Sequence, residues 1–417
     1  IKEPFFIEDI TKKYFIFSYL LIIYCALYYG IIFFILGFFK TKIVKLFALP
    51  MLMVLVEFTS NNFVYGFPWL SFSLVHSNNI FGTSLIYFTG TYFTSYITIL
   101  IFLVLSIFSI TNVKVRKVLQ FIYLCILLLI IILCLTRYFD AQSSKPDFIN
   151  ISIVQSNLHI NQYLDQNEKI KKQKFILDLV QKNKSEIIIF GENDYPFLMN
   201  LNDINLIQNH IQNNQSVIIG STRKEDNNYF NSIFLIRKNE YSYFDKQILV
   251  PFGEFVPLRN IFGFMEYISG SLDFTEGTKE RNLQLNNIKI LPVICYEILF
   301  FWKLLHQSNI NSDIIVNITN DSWFGDYSGP YQHFYFAKLR AAEFNKTLIR
   351  VSVNGISAGI DNFGRVIKFS KLNQQHNKII SIPINSSNNE YIRLHKIIFF
   401  LIFFPLLVIL FINKKNA

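Results

Sequence analysis

Residues 58–113 contain no Asp, Glu, Lys or Arg. A stretch of that length without charge cannot be solvated on all sides, so the chain must bury much of it in lipid or in protein. The apolar runs 14–39, 83–111, 118–136 and 397–412 each approach or exceed the roughly 20 residues that cross a hydrocarbon core. Residues 46–56, continued past Glu57, read as a further span. The whole chain is 52% hydrophobic and only 16% charged, too apolar for a purely soluble protein. Several long runs so close together predict a membrane bundle rather than buried core helices. The first is too long for a cleaved signal peptide and has no small-residue cleavage site after it.

The formal net charge of +10 raises nucleic acid as a partner, but the basic residues sit beside the apolar runs, in KTKIVK (40–45), KVRK (114–117) and NKK (413–415). That placement follows the positive-inside rule and argues against nucleic acid. With those clusters in the cytoplasm the spans alternate consistently, and residues 137–396 lie outside it. The chain opens on Ile1 with its first residues also outside, so further sequence, including spans, is expected upstream. The expected organisation is N-terminal membrane helices over 1–137, a linker over 138–147, an outer domain over 148–390 and a C-terminal membrane helix over 396–412.

Beyond residue 148 the pattern changes to short Ile- and Val-rich runs separated by polar, Asn-rich connections, which are the strands of an α/β domain. Strands are predicted at FINISIVQS (148–156), SEIIIFGE (185–192), QSVIIGST (215–222), FNSIFLI (230–236), IKILPVICYE (288–297), SDIIVNITN (312–320), TLIRVSVN (347–354) and KIISIPIN (378–385). Helices fit at 166–184, 203–213, 298–307 and 331–345, the last opened by Pro330 near its first turn. The alternation implies sheet covered by helices.

Cys25, Cys125 and Cys134 fall inside the membrane runs, which leaves Cys295 alone in the outer domain. A disulfide within that domain is excluded, and a lone thiol in an oxidising compartment favours a chemical role. Reactive groups of α/β sheets gather where strands end. Three unlike ones do so here: Glu192 after IIIF, Lys246 in YFDKQILVPFGEFVP, and Cys295 after LPVI. A thiol attacks acyl carbon as thiolate and needs a base and a positive neighbour, which a carboxylate and an ammonium supply. Lys246 and the backbone N–H of Tyr296 can then receive the oxyanion of the tetrahedral intermediate. Taken singly, each residue has an ordinary reading, as a small buried hydrophobe or a solvated charge. His333 reads as a structural hydrogen-bonder rather than a base, and no His/Cys/Asp spacing suits a metal.

In their contexts the three residues resemble the Glu–Lys–Cys set that the nitrilase superfamily carries, in that chain order, on an α-β-β-α sandwich. Within it the likeness is to the apolipoprotein N-acyltransferase family. It rests on EFTSNNFVYGFPWLSFS (57–73), VQSN (154–157), LVPFGEFVPLR (249–259), ICYE (294–297), NDSWFG (320–325), GPYQHFYFAKLRAAE (329–343) and VNGISAGIDNFG (353–364). These occur in order over nearly the whole chain.

The resemblance implies a nitrilase-like sandwich inserted in a helical membrane bundle, working without cofactor or metal. Cys295 would take a fatty acyl chain from a phospholipid as a thioester and yield it to the N-terminal amine of a diacylglyceryl-cysteine lipoprotein. Glu192 would be the general base, Lys246 the stabiliser of oxyanion and thiolate, and Glu254 a group that orients Lys246 or relays protons. Tyr296 and Glu297 match supporting positions. The enzyme would be a monomer of the bacterial inner membrane, its catalytic domain periplasmic. In FGENDYPF (190–197) the family usually has Pro and Thr in place of Gly191 and Asn193, and Gly191 is expected to loosen the backbone that positions Glu192. Phe262, Phe264 and Met265, in the apolar connection 257–274, either pack on the domain or guide the acyl chain. Trp69 and Tyr65 suit an aromatic belt. Two alternatives stay open: a membrane-tethered nitrilase-like amidase or thioesterase that releases the acyl group to water, and a degenerate, non-catalytic membrane relative.

Overall fold

The computed structural model describes residues 8–62, 66–69, 71–143, 146–158, 165–263, 273–305, 311–384 and 388–404. The chain divides into two compact units, one of residues 13–144, 342–344 and 389–417, the other of 1–12, 145–341 and 345–388.

The first unit is helical. Lys42–Asn62, Ile80–Phe102 and Val113–Ser143 are long and apolar enough to cross a membrane, and Ile22–Gly37 is a shorter apolar stretch of the helix Glu8–Gly37. Val113–Ser143 runs on into the stretch expected as a linker. It leaves Phe121, Leu128, Leu129 and Ile132 exposed, an apolar surface of the kind that lipid covers. The C-terminal run is described to residue 404 and includes the helix Leu394–Leu401.

Ile80–Phe102 is not one helix. It breaks at Gly90, whose φ of 75° and ψ of 171° are essentially confined to glycine. The N–H of Thr91, which in an unbroken helix would serve the Tyr87 carbonyl, donates instead to Glu343 Oε1 at 2.8 Å. The Tyr87 carbonyl accepts from Asn389 Nδ2 at 2.9 Å and faces His395 Nε2 at 3.0 Å. A broken apolar helix persists only where such polar partners meet its freed backbone groups. The single span predicted at 83–111 is therefore two half-helices followed by a 3₁₀ segment, Val104–Ser109. Trp69 is buried within this unit rather than set in an exposed aromatic belt; Tyr65 lies outside the described residues.

Among the described residues of the second unit, twelve strands form two six-stranded sheets. They are β1 (Asp147–Gln155), β2 (Ile187–Ile189), β3 (Ser216–Glu225), β4 (Asn228–Arg237), β5 (Tyr241–Asp245), β6 (Leu283–Leu285), β7 (Ile288–Ile294), β8 (Ile314–Thr319), β9 (Thr347–Ser352), β10 (Ala358–Ile360), β11 (Val366–Phe369) and β12 (His376–Ile384). One sheet runs β12-β1-β2-β3-β4-β5 and the other β11-β10-β9-β8-β7-β6. Each has a parallel centre, β1-β2-β3 or β7-β8-β9, flanked by antiparallel strands. The central strands β2 and β8 are buried along their whole length, which is why β2 is all Ile and β8 opens on Ile-Ile-Val rather than alternating with polar residues.

The sheets stack closely: β1 contacts β9 and β4 contacts β7, and a Cβ on Gly359 of β10 would come within 2.7 Å of Ile380 of β12. Helices Gln166–Lys182 and Leu201–His210 cover the first sheet, with Ile176, Val180, Ile204 and Ile207 packed on Ile188, Val217 and Phe234. Asp165 caps the first helix by accepting from Glu168 N at 2.7 Å, and Asn200 with Asp203 forms a capping box that starts the second. The helix Ser328–Phe344 buries Phe336, Ala337 and Leu339.

The eight predicted strands are all present. The sequence reading missed β5, β6, β10 and β11, short antiparallel strands in the outer half of each sheet that lack an Ile/Val run. The predicted strand 288–297 stops at Ile294, where the chain turns into a 3₁₀ segment, Cys295–Leu299. The predicted helix 298–307 is that segment and the short helix Phe301–Leu304.

Candidate active site

Glu192 stands three residues beyond β2, in a turn held from several sides. Gly191 N donates to Asp194 Oδ2 at 3.2 Å, and Asp194 Oδ1 accepts from Ser156 Oγ at 2.6 Å and from Lys172 Nζ at 2.8 Å. Asn193 takes a positive φ of 49°. A Cβ at Gly191 would lie 2.7 Å from Val353 Cγ2 and 2.9 Å from Val353 N. The glycine therefore answers a close approach, and its N–H is used. The turn that carries Glu192 is held by these contacts on both sides of Gly191.

Lys246 follows β5 directly, its N–H bonded to the Asn231 carbonyl of β4 at 2.8 Å. Its ammonium, fully buried, lies 2.9 Å from Glu254 and 3.4 Å from Glu192 Oε1. Asn231 Nδ2 bridges the two carboxylates, donating to Glu192 Oε1 at 2.7 Å and to Glu254 Oε1 at 2.8 Å. Glu192 Oε2 accepts from Asn320 N at 2.8 Å, and Glu254 Oε2 from Val250 N at 2.8 Å. Cys295 closes the group from the end of β7. Its φ is 50°, and its buried thiol feels the charges of both Glu192 and Lys246.

The electrostatics follow from burial. Removal from water pushes the Glu192 carboxyl up, Lys246 pulls it back, Glu254 pushes it up again, and the net direction is up. Burial works against the Lys246 ammonium, but Glu254 and Glu192 outweigh it and hold its proton firmly. The Cys295 thiol is driven far above its ordinary range by burial first and the Glu192 charge second. Burial thus favours the neutral thiol at rest, in the field of a carboxylate that can take its proton.

The structure thus brings together Glu192, Lys246, Glu254 and Cys295. Tyr296 is buried beside them, its ring 5.0 Å from that of Phe300. Glu297 points elsewhere: it accepts from Gln247 N at 2.8 Å, Ile248 N at 3.1 Å and Ile294 N at 2.9 Å, and pairs with Arg281 at 2.6 Å. Burial would raise its carboxyl, but Arg281 and these donors more than reverse that. Glu297 therefore ties the backbone after Lys246 to the backbone before Cys295. Of the three residues suggested to guide an acyl chain, Phe262 ends the short helix Arg259–Phe262, while Phe264 and Met265 lie outside the described residues. The sequence reading missed Asn231, whose one signal is an Asn at the start of the apolar run NSIFLI, and Arg281, which nothing local distinguishes.

The carbon–nitrogen hydrolase family profile matches residues 151–392, the sandwich with its Glu, Lys and Cys, and the chain belongs to that family. A second profile, the apolipoprotein N-acyltransferase N-terminal domain, matches residues 5–104. The particular proteins that the chain resembles carry the same name. An apolipoprotein N-acyltransferase of Wigglesworthia glossinidia brevipalpis is 32% identical over 76% of this chain and 65% of its own length. That of Rickettsia typhi is 29% identical over 87% of this chain and 76% of its own. The chain thus spans just under two thirds of the first relative and about three quarters of the second. Among solved structures, the CN-hydrolase superfamily protein XC1258 from Xanthomonas campestris aligns with 57% of this chain and 91% of its own at 15% identity and a TM-score of 0.43.

Proposed function

We propose that the protein is a membrane-bound N-acyltransferase that moves a fatty acyl chain from a phospholipid, through a thioester on Cys295, to the N-terminal amine of a diacylated lipoprotein. The observation that carries this reading is the buried Glu192–Lys246–Glu254 cluster, bridged by Asn231, with the Cys295 thiol buried in the field of its charges, in a chain that also has helices fit to cross a membrane. Glu192 takes the thiol proton as sulfur attacks the ester carbonyl, and the Lys246 ammonium with the Tyr296 N–H receives the oxyanion. The C–O bond breaks and the lysophospholipid leaves with the proton from Glu192. The acceptor amine then attacks the thioester and gives a proton to Glu192. When the C–S bond breaks, that proton returns to sulfur. Glu254 and Asn231 keep Lys246 and Glu192 in register throughout.

In this reading the α/β unit faces the periplasm, on a multi-pass anchor in the inner membrane, and the connection 257–274 with Phe262, Phe264 and Met265 guides the acyl chain. The test is intact mass of the membrane-embedded protein after incubation with phospholipid. A hydroxylamine-labile acyl adduct, absent from Cys295→Ala and removed by a diacylated lipopeptide amine, is the expected result. An adduct lost to water at the same rate without the amine would make the protein a hydrolase instead. A folded protein that forms no adduct would be a non-catalytic relative.

A further inference from the structure

His333 lies outside the reacting cluster, yet the structure gives it a defined task. Cys295 adopts a left-handed φ of 50° at the point where β7 ends, so its peptide link to Tyr296 leaves the strand and needs another tether. His333 Nε2 lies 3.2 Å from the Cys295 carbonyl oxygen. A carbonyl has no proton to give, so this contact requires the proton on Nε2.

The ring cannot drift. It is fully buried, and its Nδ1 side is seated 2.9 Å from Asp321 Oδ1 and 3.1 Å from Arg350 Nη2. Arg350 Nη2 grips both oxygens of Asp321, at 2.9 and 2.8 Å, and its Nη1 donates to Asn317 Oδ1 of β8 at 2.7 Å. The Phe324 ring stands edge-on, 5.2 Å away at 81°. Burial, and after it the Arg350 charge, push the imidazole below its ordinary pKa, while the Asp321 carboxylate, which can only accept from Nδ1, pulls it back up.

In a trans peptide the C=O and the N–H lie in one plane and point in opposite directions. A tether on the Cys295 oxygen therefore sets the direction of the Tyr296 N–H, the backbone group that the acyl-transfer reading assigns to the oxyanion. We propose that His333 is a positioning residue that aims this oxyanion donor by holding the Cys295 carbonyl, with Asp321 and Arg350 as its seat. The inference rests on the function proposed above.

Two reactions of the same sulfur separate aiming from mere support. Acylation by phospholipid passes through an oxyanion; alkylation by iodoacetamide is a displacement at saturated carbon and does not. Both are followed on the Cys295 peptide by mass, in the membrane-embedded full chain, with thermal unfolding as the check on folding. For H333A, acylation is expected to fall on the order of 10²-fold while alkylation stays within about threefold of wild type. H333Q, whose amide N–H reaches the Nε2 position, should recover most of the acylation rate, and H333N, whose amide reaches only the Nδ1 side, should not. Equal loss of both reactions in H333A, or undiminished acylation, overturns the inference. Should H333A fail to fold, H333Q acylating faster than H333N supports the inference and equal rates overturn it. A wild-type protein that does not acylate at all instead overturns the acyl-transfer reading, and this inference with it.

Discussion

Glu192 and Cys295 are both pushed by burial toward their protonated forms, and this sets the expected pH behaviour. Glu192 cannot take the thiol proton while it carries its own. Acylation should therefore decline as pH falls through the raised value, above the ordinary glutamate range near 4.3. A pH profile of thioester formation would show this acid limb. E192Q should erase it and lower the rate about 10²–10⁴-fold; normal labelling of that variant would remove Glu192 from its role. Asn231 makes two bonds to carboxylates. Hydrogen bonds to charged groups contribute about 1.5–3 kcal/mol, so N231A should slow thioester formation roughly 10- to 100-fold and also lower the thermal midpoint, because two buried carboxylates lose a donor. Glu192 and Cys295 were legible because each follows a recognisable apolar run, and Lys246 because of the stretch YFDKQILVPFGEFVP that holds it. Asn231 was not, since a sequence rich in Asn offers no reason to single out one whose partners lie 39 and 23 positions away.

At the scale of elements, two glycines fill places that no side chain can. A Cβ on Gly220 of β3 would sit 2.6 Å from Asn193 N and Gly191 O, so G220A should displace the Glu192 turn and abolish acylation while the sheet, measured by circular dichroism, persists. G90A must place an alanine at a φ of 75° and within 2.8 Å of the His395 ring. Strain of that kind costs on the order of 1–3 kcal/mol and should lower the unfolding midpoint of the helical unit. The Arg281–Glu297 pair joins the backbones that carry Lys246 and Cys295. Because the folded Glu297 carboxyl is depressed, its stabilisation is complete above the unfolded value near 4.3 and is lost as pH falls toward the folded one. R281A should remove roughly 3–5 kcal/mol, as for other broken buried pairs. An unchanged midpoint between R281A and wild type would contradict that account.

For the whole molecule, the topology proposed from the charge clusters at 40–45 and 114–117 puts residues 137–396 across the membrane from them, and it is open to a direct test. In a background lacking Cys25, Cys125 and Cys134, a cysteine at exposed Glu225 should react with a membrane-impermeant maleimide in intact spheroplasts, and one at Lys114 only after permeabilisation. The reverse pattern would invert the topology. Hydropathy and strand periodicity are local properties, so the sequence by itself determined the apolar helices, the positions of the central strands along the chain, and which strand ends carry Glu and Cys. The break at Gly90, the bridging Asn231, and the seating of His333 on Asp321 and Arg350 were decided only by the tertiary structure. Each joins groups brought together from distant parts of the chain, as Thr91 meets Glu343 across 252 positions. Such contacts leave no periodic trace because their energy is realised only when the intervening chain has folded.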